Sequence, residues 1–89
     1  MMPIYIKNES SNELLAEIAK DLWDLPTQIK ELEIWLLSNP LNLTPSNYIV
    51  DIGFSIRDNA CGGGAILSPK AMAIMGNLGV KLYLSEYGD

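Results

Sequence analysis

The sequence predicts an α+β fold: a small two-layer domain in which a three- to four-stranded, mostly antiparallel or mixed sheet carries helices on one face. Three observations predict it. Residues 48–57 alternate: Tyr48, Val50, Ile52, Phe54 and Ile56 share one side, and Asp51, Gly53, Ser55 and Arg57 share the other with Ile49. A period of two built from β-branched and aromatic residues marks a half-buried strand, and its apolar side needs a second layer. Stretches before and after it carry apolar residues at helical spacing and can supply that layer. The chain has 89 residues, 48% of them apolar and 19% charged, which suits one globular domain (1–89) with a small core.

The elements follow in order. Residues 3–7 (Pro-Ile-Tyr-Ile-Lys) read as a short strand with Ile4 and Ile6 on one side and Tyr5 and Lys7 on the other. The proline places this strand at a sheet edge. Ser10 followed by Glu13 fits a capping box, so the pattern predicts a helix with Leu14, Leu15, Ile18, Ala19 and Leu22 as its apolar stripe. Glu13, Glu17, Asp21 and Asp24 then form an acidic, solvated helix face. Asp24-Leu25-Pro26 marks a second helix start, with Ile29, Leu32, Ile34 or Trp35, and Leu36 as its apolar side. Ser38-Asn39-Pro40 ends it. The two helices can equally be one long helix kinked at Pro26.

Residues 41–47 read as a loop, and residues 58–64 as a glycine-rich turn after the central strand. Ala65 to Leu67 is expected to pair back as a short strand. Ser68 as N-cap and Pro69 as first helical residue open the last helix, Ala71, Met72, Ile74, Met75 and Leu78 supply its apolar side, and Gly79 closes it. Val80 to Ser85 alternates again and predicts a final strand. The expected order is thus β-α-α-β-(β)-α-β.

Charge narrows the function. Six basic residues face eleven acidic ones, a net charge of −5, and Arg57 is the only arginine. A nucleic-acid binder needs a basic patch to displace counterions, so nucleic acid is disfavoured as a partner. An acidic surface attracts basic proteins instead. The absence of histidine removes the commonest general base and zinc ligand, and with it Ser-His and Cys-His nucleophile pairs. No cofactor or metal is therefore expected, and no enzyme activity. A single cysteine, no apolar run of membrane-spanning length and no secretory leader pattern point to the cytoplasm.

Few motifs suggest chemistry. Cys61-Gly62-Gly63-Gly64 ahead of a helix start resembles an anion-cradling loop, but the Lys-Ser or Lys-Thr of a phosphate loop is missing. A flexible connection explains it as well. Cys61 lacks a base to activate it. Asp51, Asp58 and Glu86 form a carboxylate or magnesium site only if the strands bring them together; a surface pair between Asp51 and Arg57 or Lys81 is the plainer expectation. Trp23 and Trp35 sit near the edges of the apolar stripes, where tryptophan serves as core rim or interface anchor. Together with Leu37, Leu41 and Leu43 they offer more apolar surface than one small sheet covers, which favours a binding face or a homodimer.

Two partial resemblances add to this. Met2-Pro3-Ile4-Tyr5-Ile6-Lys7-Asn8, followed by residues 13–19, resembles the start of ribbon-helix-helix antitoxins. That resemblance implies a strand paired across a dimer and inserted into DNA. Residues 12–87, with Leu67-Ser68-Pro69 entering a helix that ends Leu78-Gly79 and then Val80 to Tyr87, are similar to the C-terminal part of a bacterial domain family of unknown function. It has relatives among toxin-immunity genes, which implies a small inhibitory protein.

The expectation is a non-enzymatic protein that occludes a basic partner such as a toxin, a nuclease or a defence effector. An immunity protein, an antitoxin and a phage anti-defence protein all fit. Glu13, Glu17, Asp21 and Asp24 would steer association, and Trp23 and Trp35 would anchor it. Two alternatives are a small-ligand or nucleotide-binding module using Cys61, Gly62, Gly63 and Gly64, and a dimeric ribbon-helix-helix-like regulator.

Overall fold

A computed structural model describes residues 2–38 and 43–88. Six elements run in the order β1 (Ile4–Asn8), β2 (Glu13–Ile18), α1 (Leu25–Ser38), β3 (Tyr48–Ser55), α2 (Pro69–Leu78) and β4 (Val80–Tyr87). The strands form one sheet ordered β2-β1-β3-β4, in which β1 pairs antiparallel with both β2 and β3, and β4 lies parallel to β3. The α+β class, the mixed four-stranded sheet and the helical second layer match the sequence expectation. Among the described residues no helix is long and apolar enough to cross a membrane.

Both helices cover the same face for a topological reason. β2 and β3 are each antiparallel to β1, so they run in one direction and α1 is the crossover between them. The β3-α2-β4 unit is a second parallel crossover, and both crossovers advance the same way across the sheet. Parallel crossovers are almost always right-handed, so two that advance in the same direction deposit their helices on one side. Ile4 and Ile6 of β1 and Val50 and Ile52 of β3 pack there against Ile29, Leu32 and Leu36 of α1 and Ala71 and Met75 of α2. Among the described residues the opposite face carries no helix.

The first predicted helix is a strand instead. Asn8 Oδ1 accepts the backbone N–H groups of Ser10 and Ser11 at 2.9 and 3.2 Å, and Asn12 turns the chain with φ +59. This asparagine-capped turn uses the local donors that a helix start would need and folds β2 back on β1. Ile18 and Ala16 then face the helical layer opposite Ile4 and Ile6. The register shifts between Ile6 and Lys7, a bulge that leaves Leu15 without a direct partner and lets it pack on the core. The acidic helix face and the long kinked helix therefore do not exist.

Three further expectations are corrected. β1 is an inner strand, not an edge; Pro3 lies one residue before it, where its missing N–H interrupts only the ladder's end. Residues 65–67 form no strand, and Ile66 is 86% exposed. The charge pair anticipated for Asp51 is absent, because Lys81 bridges to Glu9 at 3.2 Å and Arg57 binds its own loop. Asn39, Pro40 and Leu41 lie outside the described residues.

The caps are as expected. Asp24 Oδ2 accepts the Thr27 N–H at 3.1 Å and the Thr27 hydroxyl, opening α1. Ser68 Oγ accepts the Ala71 N–H at 3.1 Å, Pro69 follows, and Gly79 closes α2 with φ 84.

Candidate functional site

The uncovered sheet face is the part of the molecule best equipped to bind something. Register places its side chains in rows across the strands. Glu17, Tyr5, Asp51 and Tyr83 form one row over β2, β1, β3 and β4. Leu14, Lys7, Ile49 and Lys81 form the next. Ile49 is only 6% exposed although no helix covers it, since the aliphatic stems of the flanking lysines can lie over it. Tyr5, Tyr83 and Tyr87 are roughly half exposed.

At one end of this face lies a groove of about 430 Å³, lined by Tyr5, Trp23, Asp51, Gly53, Ser55 and Tyr87 together with the N-terminal Met2 and Pro3. Its floor is Gly53. A Cβ there would stand 2.7 Å from Tyr87 Cε2, so only glycine leaves the Tyr87 ring in place, while Trp23 Cζ3 at 3.5 Å would be in ordinary contact. Trp23 and Tyr87 meet edge to face, centroids 6.0 Å apart at 88°, an arrangement that favours aromatic pairs. The backbone N–H of Ser55 donates to the Trp23 carbonyl at 2.9 Å, which ties the β2–α1 connection to β3.

A buried amide supports the floor from below. Gly53 N–H donates to the Pro3 carbonyl at 2.8 Å, so the two residues occupy a hydrogen-bonded position of the antiparallel pair. Such a pair normally exchanges two bonds. Proline has no N–H to return. Gln28, fully buried on α1, fills the vacancy: its Nε2 donates to the Gly53 carbonyl at 2.6 Å and to the Leu22 carbonyl at 2.8 Å. Its Oε1 has no partner. One side chain thereby joins helix, connection and strand beneath the groove.

Among the described residues Asp51 is the only charged one lining the groove. It is half-buried, and its Oδ1 accepts the Ser85 hydroxyl at 3.0 Å. Among the described residues it forms no ion pair, and no group of three potential metal ligands comes together. The site therefore offers aromatic faces and one fixed negative charge.

The residues singled out from sequence are dispersed. Glu13 starts β2, Glu17 joins the Tyr5 row, Asp21 lies in the turn after β2 with φ 60, and Asp24 caps α1. The Thr27 hydroxyl and N–H hold the Asp24 carboxyl below its ordinary value. Trp23 reaches the groove, whereas Trp35 packs half-buried against the core from α1. Cys61, Gly62 and Gly63 are exposed and Gly64 half-buried; the Gly62 carbonyl accepts Arg57 Nη2 at 2.7 Å. Tyr5, Tyr83 and Tyr87 were missed as site residues. Their signal was present: tyrosines at the polar phase of amphipathic strands, where an aromatic side chain faces solvent unless something covers it.

No protein-family model, characterised protein or solved structure matches this chain.

Proposed function

We propose that the protein acts in the cytoplasm by docking: it binds another protein through the helix-free face of its sheet and occludes a basic surface on it, as an immunity protein, antitoxin or anti-defence protein does. The observation that carries this reading is the row Glu17–Tyr5–Asp51–Tyr83, two carboxylates alternating with two half-exposed tyrosines on a rigid sheet. A few residues carry most of the energy in protein interfaces, and tryptophan and tyrosine are enriched among them; charges set partner choice and association rate. The net charge of −5 extends the same preference over the whole surface. Glu17 takes the steering role expected of an acidic helix, and Trp23 with the tyrosines takes the anchoring role. The dimeric regulator is less well supported, because both edges of β1 are already hydrogen-bonded within the chain.

The test is co-expression with the products of neighbouring genes, followed by gel filtration. A complex is expected that weakens several-fold between 50 and 300 mM salt, and again with Glu17→Lys or Tyr83→Ala. A complex indifferent to both substitutions, or the absence of any complex, overturns the reading.

A further inference from the structure

We infer that the groove bounded by Trp23, Tyr87 and Tyr5 is a receptor for an arginine side chain of the bound protein, with Asp51 as its counter-ion. The assignment rests on the docking reading and specifies what the partner must present.

The groove selects charge before it selects shape. A side chain entering it removes water from Asp51, whose Oδ1 holds the Ser85 hydroxyl while its Oδ2 faces no cation among the described residues. A carboxylate desolvated without a positive partner is costly, so an anionic or neutral occupant is opposed and a cation is favoured. The walls act in the same direction. Aromatic rings present a negative face, and a cation over tyrosine or tryptophan is attracted to it.

Shape then separates arginine from lysine. Trp23 and Tyr87 stand at 88° to each other, so one ring offers a flat surface while the other closes its side. A planar guanidinium stacks on such a surface and still directs two N–H groups edge-on at a carboxylate. A lysine ammonium is a compact, strongly hydrated charge with three donors to satisfy. Besides Asp51, the described lining residues offer only the Ser55 hydroxyl as a side-chain oxygen acceptor outside the aromatic rims. The volume of about 430 Å³ also leaves room for the aliphatic stem against Met2 and Pro3.

The experiment titrates the intact protein with the blocked peptide acetyl-Gly-Arg-Gly-amide and with its citrulline counterpart, in which a neutral urea replaces the guanidinium. The Trp23 indole N–H signal is followed by NMR, and the Trp35 indole serves as the internal reference. Saturable movement of Trp23 at millimolar arginine peptide is expected, with citrulline at least tenfold weaker and Trp35 unmoved. Asp51→Asn keeps an acceptor for Ser85 and is expected to weaken arginine binding about tenfold while the thermal midpoint stays close to that of the native protein. Equal responses to the two peptides, or no movement of Trp23, overturn the inference without needing any variant. The two readings fail separately. If Asp51→Asn leaves protein binding intact while Glu17→Lys weakens it, the arginine receptor is refuted and docking stands. If the arginine peptide binds through Asp51 but no protein competes with it, the groove chemistry stands and docking is refuted.

Discussion

Replacing Gln28 by methionine tests how the sheet tolerates a proline opposite a glycine. The substitution keeps the length and removes both donors. Two backbone carbonyls lose a hydrogen bond: that of Gly53, buried at 2.6 Å, and that of Leu22, half-buried at 2.8 Å. A buried acceptor left without a donor costs about 1–3 kcal/mol, and the partly wet one about 1 kcal/mol. Removing the unpartnered Oε1 returns about 1 kcal/mol. The net loss is about 1–3 kcal/mol, or roughly 4–24 °C in Tm for a chain of this size. If the vacancy argument is right, Pro3→Ala repairs the damage, because an alanine N–H can complete the exchange with Gly53. Pro3→Ala alone should cost about 0.4–1 kcal/mol through the freed unfolded chain. In its background Gln28→Met should cost close to nothing, since the loss at Leu22 and the return from Oε1, about 1 kcal/mol each, offset one another. Urea unfolding of the four proteins, followed by circular dichroism and analysed as a double-mutant cycle, gives the coupling directly. Costs that add to within about 0.5 kcal/mol refute the claim that Gln28 substitutes for the proline's absent donor.

Other predictions are simpler. Gly79→Ala should destabilise by about 3 kcal/mol or more, since φ is +84 and the new Cβ would stand 2.3 Å from the Ser46 carbonyl oxygen, a backbone atom; chemical denaturation measures it. Gly53→Ala should change stability by under about 1 kcal/mol, because the half-exposed Tyr87 ring can swing aside, yet it should shift Trp23 fluorescence and abolish the arginine-peptide response. Asp24→Ala should flatten the acid limb of the stability–pH curve. The Asp24 carboxyl has a folded-state pKa below its ordinary 3.8, so its contribution is present above that pH and is lost as pH falls through the lowered value. Thermal midpoints between pH 2 and 6 check this, and an unchanged acid limb in the variant contradicts it.

Where a structural signal is local, the sequence was legible. Asp24, Ser68, Pro69 and Gly79 each satisfy or release backbone groups within four residues of themselves, so their roles could be read without knowing any partner. Residues 13–18 show the opposite case. Glu-Leu-Leu-Ala-Glu-Ile has good helix formers at helical spacing, and only pairing with β1 makes it a strand. The acidic residues then lose the common face that a helix would have lent them. Trp23 and Trp35 part in the same way, one to the groove and one to the core.

By itself the sequence determined the class of fold, the alternating central strand, the two helices of the described residues with the N-terminal caps of both and the glycine cap of the second, and an acidic surface poor in arginine and lacking histidine. The tertiary structure alone decided that Tyr5, Asp51, Tyr83 and Glu17 stand in one row, that Tyr87 and Trp23 close over Gly53, and that Gln28 answers a gap left by Pro3. These residues lie up to 84 positions apart in the chain, from Pro3 to Tyr87. What joins them is strand register and the shared hand of two crossovers, which are set by how the whole apolar surface is buried and by no short run of residues.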